Sequence, residues 1–379
     1  MSLHEALAAS SRLSIDLEAL GANYRSIAER VAPAMCAAVV KADAYGVGIG
    51  RVAPALHREG CRVFFVAHYR EAEQLSAAVC SGSTIFILNG LDPGAEPECA
   101  RRGYVPVHNS LVQIERWRAL ARRLGKPLPA AIQVDSGMSR LGLAPAEALA
   151  LAYEPGITGE MDLRLVLTHL ACADAPDDPA NLAQFARFAE VRDAFPGVPA
   201  SIANTGGAFL PPHFHLDVVR PGIGLFGVSP APRRSMLRPV VTLEARVLQI
   251  RTVPAGTGVG YGLDHVTTAP QRLATLGIGY GDGLPRSLGA RGAAWYRGTR
   301  LPIVGRVSMD SITVDIDALP ERALCEGDFV EIIGHSQPLD RLARDAGTIA
   351  YEVLTRLGSR PARLYHQSDL SRDIQEDLR

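Results

Sequence analysis

Lys41 follows the apolar run Met35-Cys36-Ala37-Ala38-Val39-Val40 and is followed in turn by Ala42-Asp43-Ala44-Tyr45-Gly46-Val47-Gly48. That puts an amine at the end of a buried strand, with a glycine-rich turn just beyond. Burial lowers the pKa of an amine, so a lysine placed there can act as a nucleophile or carry a proton. An isolated lysine after an apolar run more often snorkels outward from the strand end. The chain's other chemically capable residues weigh against that plainer reading. Tyr45, Asp135 and Arg140, His169, Asn204 and Thr205, and Arg220, Gly222 and Ile223 all follow short apolar runs of the same kind.

Eight such runs recur, at residues 34–40, 63–67, 84–88, 104–107, 130–134, 163–168, 200–203 and 216–219. Between them lie stretches with apolar residues three or four apart, including Leu17–Val31, 52–60 and 182–195, which predict helices. Ser110 with Gln113 three residues on forms a capping box for Leu111–Leu124, and Gly125 marks its stop. Strands and helices alternating eight times in about 220 residues predict a (β/α)8 barrel rather than an open doubly wound sheet. Continuous apolar runs agree with strands buried on both faces.

The composition changes near residue 229, where Ser229-Pro230-Ala231-Pro232-Arg233-Arg234 reads as a linker. Beyond it Val241, Leu243, Ala245 and Val247 alternate in period two, and strand-like runs follow at 273–278, 301–304, 312–316 and 329–333. Residues 341–357 have a helical pattern, and the polar tail after Gln367 is expected to fray. The expected organisation is an α/β class chain: a (β/α)8 TIM-like barrel over 12–234, then a mainly β domain over 235–379 on which residues 1–11 pack.

A formal net charge of −1 over 379 residues gives no footprint for nucleic acid or an anionic membrane surface. No apolar run approaches the roughly 18 residues that span a bilayer. No Lys or Arg precedes Arg12, and Glu5 and Asp16 interrupt any signal-like stretch, so a cytoplasmic location is expected. The six cysteines (Cys36, Cys61, Cys80, Cys99, Cys172, Cys325) form no Cys-x-x-Cys pair, which indicates neither a disulfide framework nor a zinc site. His213 and His215 read as surface loop residues rather than metal ligands.

Barrel active sites are built at the C-terminal ends of the strands, and the seventh and eighth positions often hold a phosphate. There Thr205 offers a hydroxyl, and the turn Arg220-Pro221-Gly222-Ile223-Gly224 offers N–H groups that glycine lets approach an anion. An imine-forming lysine facing such a cradle points to pyridoxal phosphate (PLP), although a sugar phosphate would suit the cradle as well.

From about residue 13 to residue 365 the sequence resembles the alanine racemase family. The landmarks are Val40-Lys41-Ala42-Asp43-Ala44-Tyr45-Gly46, Val134-Asp135-Ser136-Gly137-Met138-Ser139-Arg140-Leu141-Gly142, Thr168-His169-Leu170-Ala171, Ala203-Asn204-Thr205 and Val219-Arg220-Pro221-Gly222-Ile223. Val259-Gly260-Tyr261-Gly262, Gly279-Tyr280-Gly281-Asp282-Gly283 and Val304-Gly305-Arg306-Val307-Ser308-Met309-Asp310 follow in the family's order. The resemblance implies interconversion of L- and D-alanine by two bases, with D-alanine supplied for peptidoglycan. Lys41 would hold PLP covalently and exchange the α-proton on the D side. Tyr261, reaching across from the second subunit of a homodimer, would serve the L side, helped by His169 and Arg220 because a phenol pKa near 10 is too high unaided.

By the same resemblance Arg220 would pair with the pyridine nitrogen. Arginine only donates, so the ring would stay unprotonated and favour racemisation over transamination. Tyr45, Thr205 and the N–H groups of Gly222 and Ile223 would hold the phosphate, with His169 and Asn204 beside the cofactor. Arg140 and the backbone at Met309, the latter also from the partner, would hold the substrate carboxylate. Asp174, Tyr280, Arg306 and Asp310 match positions around the family's entrance.

Two residues depart from the pattern. Gln133 stands where many members carry a carbamylated lysine, so Arg140 is expected to be held by the neutral amide oxygen. Ser359 stands where some members have a phosphate-contacting tyrosine, so that end of the site is expected to be wider. The competing readings are a serine or broad-specificity racemase, a PLP-dependent decarboxylase and a non-catalytic PLP-binding barrel. The last lacks a second domain and hence an equivalent of Tyr261.

Overall fold

The structure, a computed structural model, describes residues 9–79, 82–230 and 236–367. Cys80, positions 231–234 of the expected linker and the tail after Gln367 lie outside the described residues. Two compact units result: Leu20–Leu237, and a second that joins described residues up to Ala19 with those from Arg238 on.

In the first unit seven parallel strands pair in sequence order: Ala38–Val39, Val63–Val66, Thr84–Ile87, Val105–His108, Leu128–Gln133, Met161–Leu167 and Ala200–Ser201. Val218–Val219 closes the ring. It pairs in parallel with Met35–Cys36, the first half of the strand that continues into Ala38–Val39. On its other side Asp217 N–H donates to the Ala200 carbonyl and Arg220 N–H to that of Ala203. The eight expected runs thus form a closed barrel. Its strands are apolar on both faces, with Phe64, Phe65 and Val66 fully buried in a single strand. The Phe65 and Phe86 rings stack with centroids 4.7 Å apart.

Helices Leu17–Val31 and Leu111–Leu124 have the expected bounds. Ser110 Oγ accepts the Gln113 N–H and Gly125 ends the helix at φ 66. The reciprocal half of the capping box lands one residue early, as Gln113 Oε1 accepts from Asn109 N–H. His215 is a correction: it is 5% exposed, because Phe214 and His215 turn inward while His213 stays at the surface against Phe185. No metal-binding group of side chains and no membrane-length apolar helix occurs among the described residues.

His108 ends one barrel strand, buried with its ring centroid 5.7 Å from that of Trp117. Neither ring nitrogen has a hydrogen-bond partner. Burial, reinforced by Arg116, pushes its pKa down to about 3. The unfolded imidazole takes a proton near pH 6.5 where the folded one refuses it, so stability is lost as pH falls below that value. The loss attributable to His108 is about 2 kcal/mol between about pH 7.5 and about pH 5. His108→Phe is expected to flatten the fall in urea midpoint over that range, and an unchanged fall would show that His108 protonates freely in the native state.

The second unit is antiparallel apart from one edge pairing. Its strand order is Gln271–Leu276, Ile312–Asp315, Thr299–Val304, Ala293–Tyr296, Phe329–Ile333, Val241–Val253, Ser11–Asp16 and Ala362–His366. The long strand Val241–Val253 also pairs with Gln271–Leu276, a register shift between Val247 and Gln249 bending it enough to close six strands on themselves. Ser11–Asp16 alternates buried and half-exposed side chains, with Leu13 and Ile15 at 0% exposure. It lies antiparallel to Val241–Val253 and parallel to Ala362–His366. The helical pattern over 341–357 resolves into Leu339–Asp345 and Ala350–Arg356, broken at Gly347, whose φ is 72.

Candidate active site at the barrel strand ends

Lys41 leaves the barrel through an unusual turn. Ala42, Asp43, Ala44 and Tyr45 have φ of 53, 54, 53 and 59, a left-handed turn of four residues that all carry a Cβ. Each such residue costs roughly 1–2 kcal/mol, so the turn must be held from outside. Gly46 N–H donates to the Ala42 carbonyl at 2.7 Å and Gly48 N–H to that of Asp43 at 2.9 Å. Asp43 Oδ1 accepts from Ile49 N–H at 2.7 Å. The Glu71 carboxylate, from a neighbouring helix, accepts the Ala42 N–H at 2.7 Å. The turn leaves Lys41 half-buried at the strand end and carries Tyr45 into the interior, 5% exposed.

The Lys41 amine is pushed below its ordinary pKa, first by burial and then by Arg140 and Arg220, with Glu71 opposing. It therefore sits among cations, the environment that frees a lysine to attack or accept a proton near neutrality. Arg220 is 3% exposed. Its Nε donates to Ser201 Oγ at 2.8 Å, one terminal nitrogen donates to the Thr168 carbonyl, and its guanidinium carbon lies 5.8 Å from the Phe65 ring centroid. Burial and then Arg140 lower its pKa to about 10, which still leaves it charged at neutral pH. A buried cation that ends on a hydroxyl and a carbonyl calls for an acceptor in the site.

His169 is pushed down to about 3 by burial, then by Arg220, Arg140 and Lys41. Held neutral, it can hydrogen-bond but brings no positive charge of its own. Asn204 Nδ2 lies 3.5 Å from His169 Nε2, and Asn204 Oδ1 accepts the Gly207 N–H at 2.9 Å.

Thr205 and the turn after Arg220 come together at the expected anion end. Thr205, 3% exposed, accepts from Gly222 N–H at 3.0 Å and from Gly224 N–H at 3.3 Å through its Oγ1. Its own hydroxyl proton remains to donate. A Cβ on Gly222 would meet Tyr45 Oη at 2.0 Å, so only glycine lets that backbone lie against the phenol. Tyr45, Thr205 and Gly222 therefore converge, with the buried Ile223 next in the chain, and the two hydroxyls are donors of the kind a phosphate requires.

Arg140 is exposed on the loop after Leu128–Gln133. Asp135 Oδ1 gathers the N–H groups of Gly137, Met138 and Ser139 at 2.9–3.0 Å. The expected bond from the Gln133 oxygen to Arg140 gives way to a different one. Gln133 Nε2 donates to the Leu141 carbonyl at 3.0 Å, so the amide braces the backbone beside Arg140. Asp174 is exposed in the turn-rich segment after Leu170.

The remaining expected residues belong to the second unit. Tyr261 occupies a turn between Gly260 and Gly262, whose φ values are 73 and 78, and is 70% exposed. Arg306 pairs with Asp264 of that turn. Tyr280 and Met309 lie on segments joined by bonds from Tyr280 N–H to the Ser308 carbonyl and from Gly281 N–H to that of Met309. Asp310 is paired with Arg360 at 2.8 Å, and Arg360 also reaches the buried Asp282 at 3.3 Å. Ser359 is exposed. A cavity of about 430 Å³ beside Asp264 and Arg306 adds Arg286 and Arg291, which the sequence reading did not single out.

Other supporting residues were also missed. Gln184, 2% exposed, donates to the His169 carbonyl at 3.0 Å and to Ser136 Oγ at 3.3 Å, and accepts the Ala171 N–H. Ser136 Oγ in turn lies 2.8 Å from Thr168 Oγ1. The available signal was a polar residue on the buried stripe of helix Pro179–Asp193, in line with Phe188 and Val191.

The chain resembles known proteins over nearly its whole length. Residues 15–230 match the family model for the alanine racemase N-terminal domain, and residues 240–365 match that for its C-terminal domain. The alanine racemase of Brucella canis is 50% identical over 374 residues, covering 95% of this chain and 94% of that protein. A catabolic alanine racemase of Agrobacterium fabrum is 51% identical over 364 residues, covering 96% of this chain and 94% of that protein. The crystal structure of alanine racemase from Bartonella henselae with covalently bound pyridoxal phosphate is 44% identical with a TM-score of 0.92, covering 94% of this chain and 100% of that one. With both domains matched in order and half of its residues shared with enzymes of that name, the chain belongs to the alanine racemase family.

Proposed function

We propose that Lys41 and Tyr261 are the two proton-transfer groups with which this member of the family interconverts L- and D-alanine, with PLP bound at the barrel strand ends. The observation that carries this reading is the convergence of a charge-destabilised lysine, a buried arginine and an anion cradle at one end of one barrel. PLP, when bound, withdraws electrons from the substrate α-carbon and so acidifies its proton. The protein's part is to hold, orient and exchange. Tyr45, Thr205 and the Ile223 N–H would take the phosphate, joined by the Gly222 N–H once it turns from Thr205 Oγ1. Arg220, fixed by Ser201 and Thr168, would donate to the ring nitrogen and, having no acceptor of its own, would leave that nitrogen unprotonated. His169 and Asn204, adjacent in the site, would lie beside the cofactor. Arg140 binds the substrate carboxylate from a loop braced by Asp135 and Gln133.

Tyr261 and Met309 act across a homodimer in this reading. Tyr261, Leu263, Val266, Tyr280 and Met309 expose 70, 60, 53, 42 and 53% of their surface in the second unit, the kind of apolar surface a second copy would cover. Asp174, Tyr280, Arg306 and Asp310 would border the entrance of the assembled site. The enzyme would work in the cytoplasm and supply D-alanine for peptidoglycan. A catabolic role is the second reading, favoured by the relative from Agrobacterium fabrum and by one from Rhizobium johnstonii, also 51% identical and described as catabolic.

Incubation of the PLP-loaded protein with L-alanine in D2O, with L-serine in parallel, tests the reaction and the substrate. Solvent deuterium at Cα together with loss of optical purity is expected, faster for alanine. Discrimination between such small side chains is worth only about 1–3 kcal/mol, so serine serves as a graded comparison. No exchange with either amino acid, despite bound PLP, would reject racemisation.

Gly222→Ala tests the cradle, because its methyl would collide with the Tyr45 hydroxyl. PLP affinity is expected to fall by about 10- to 100-fold, or about 1.4–2.8 kcal/mol, in an absorbance titration of the apoprotein. Unchanged affinity would place the phosphate elsewhere.

A further inference from the structure

The turn that carries Lys41 is backbone-strained, and one side chain from another element grips it. Glu71 stands in the first turn of helix Tyr69–Ala78, which follows the next barrel strand, Val63–Val66. Its Oε1 accepts the Ala42 N–H at 2.7 Å. Its Oε2 accepts the Ala67 N–H at 2.6 Å and the His68 N–H at 3.2 Å. A single half-buried carboxylate thus ties the peptide immediately after Lys41 to the end of the neighbouring strand.

We infer that Glu71 is a positioning residue for Lys41, clamping the Lys41–Ala42 peptide to the second barrel strand so that the amine is aimed from a fixed backbone. The inference rests on the reading of Lys41 as the PLP-binding lysine. Three features support it. All three partners are N–H donors, so a carboxylate satisfies them with both oxygens as acceptors, whereas a glutamine would turn its amide hydrogens toward at least one of them. Ala42 is the first residue of the left-handed run, so its N–H is the point at which the turn departs from the strand. Inside the turn the Ala44 N–H donates to the Val40 carbonyl at 2.9 Å across Lys41, whereas the Ala42 N–H is held from outside the turn, by Glu71. The nearby carboxylate also works against the burial and the two arginines that lower the Lys41 pKa.

The test compares the holoenzyme of the native sequence with Glu71→Ala, Glu71→Gln and Glu71→Asp. Misplacement of a reacting group by about 1 Å costs on the order of 100-fold. Glu71→Ala is therefore expected to lose about 10- to 100-fold in kcat with KM for L-alanine held within about 3-fold. It should also weaken the visible circular dichroism of the bound cofactor and speed its release to hydroxylamine. Glu71→Gln should fall between Glu71→Ala and the native protein, and it keeps the test available if the alanine variant does not fold. Glu71→Asp should recover part of the dichroism. Native kcat, dichroism and hydroxylamine sensitivity in Glu71→Gln or Glu71→Ala would overturn the inference, as would a loss confined to thermal stability. Borohydride reduction of the native holoenzyme followed by peptide mass analysis separates the two claims. Label on a residue other than Lys41 rejects the underlying reading, whereas label on Lys41 with indifferent Glu71 variants rejects only the clamp.

Discussion

Lys41→Ala is expected to lower kcat/KM for alanine in both directions by about 10,000-fold or more, and to abolish the absorption of lysine-bound PLP at about 420 nm. Two functions leave together, covalent attachment of the cofactor and proton exchange on the D side, and no other lysine stands at a barrel strand end identified with the site. The fold should survive. Lys41 lies among Arg140 and Arg220, so removing its amine relieves like-charge repulsion, and the left-handed turn begins only at Ala42. The comparison belongs between apoproteins, because bound ligand adds its own stabilisation. Apo Lys41→Ala is expected to unfold in urea at a midpoint no lower than that of apo native protein. Retention of the visible band would contradict the assignment of Lys41.

Tyr261→Phe is expected to act on one side of the reaction. Removing a general base costs typically about 100- to 10,000-fold. Exchange of the L-alanine α-proton with solvent should fall by about 1,000-fold, while exchange from D-alanine, left to Lys41, should stay within about 10-fold. Tyr261 is 70% exposed in the second unit, so losing its hydroxyl should shift stability by no more than about 0.5 kcal/mol. The loss therefore cannot be assigned to unfolding. Equal losses for the two enantiomers would mean that the phenol positions the substrate and does not serve one face. Native exchange of L-alanine would remove Tyr261 from the chemistry.

The barrel was legible because its signals are local. Continuous apolar runs separated by stretches of helical period announce strands buried on both faces, and all eight runs became strands of the barrel. The Ser110 cap and the Gly125 stop worked for the same reason, since each depends on residues within one turn. The site was legible through the rule that barrel chemistry sits at the C-terminal strand ends, which pointed to Lys41, His169, Thr205 and Arg220 before any contact was known. Where the sequence reading failed, the partner was remote or in competition. Gln133 was expected to hold Arg140 through its amide oxygen, but the bond it makes runs from its amide N–H to the Leu141 carbonyl, a backbone group whose position only the folded loop sets. His215 looked like a loop residue because nothing local shows that its loop folds inward behind Phe214. Ser11–Asp16 has the alternating pattern of a half-buried strand, and that pattern does not say which sheet it joins.

The sequence by itself determined which residue types stand at which strand ends, because strand, turn and helix periodicity are short-range properties of the chain. Only the tertiary structure decided the states those residues adopt. The Lys41 amine is lowered and the His169 ring is held neutral first by burial and then by cations distant in sequence. Gly222 is required by a phenol contributed from another strand end. A left-handed turn of ordinary residues stands after Lys41, with Glu71 from the next helix gripping its first peptide. Desolvation, charge and strain depend on everything packed around a group, and the closing of the barrel is what brings those neighbours together.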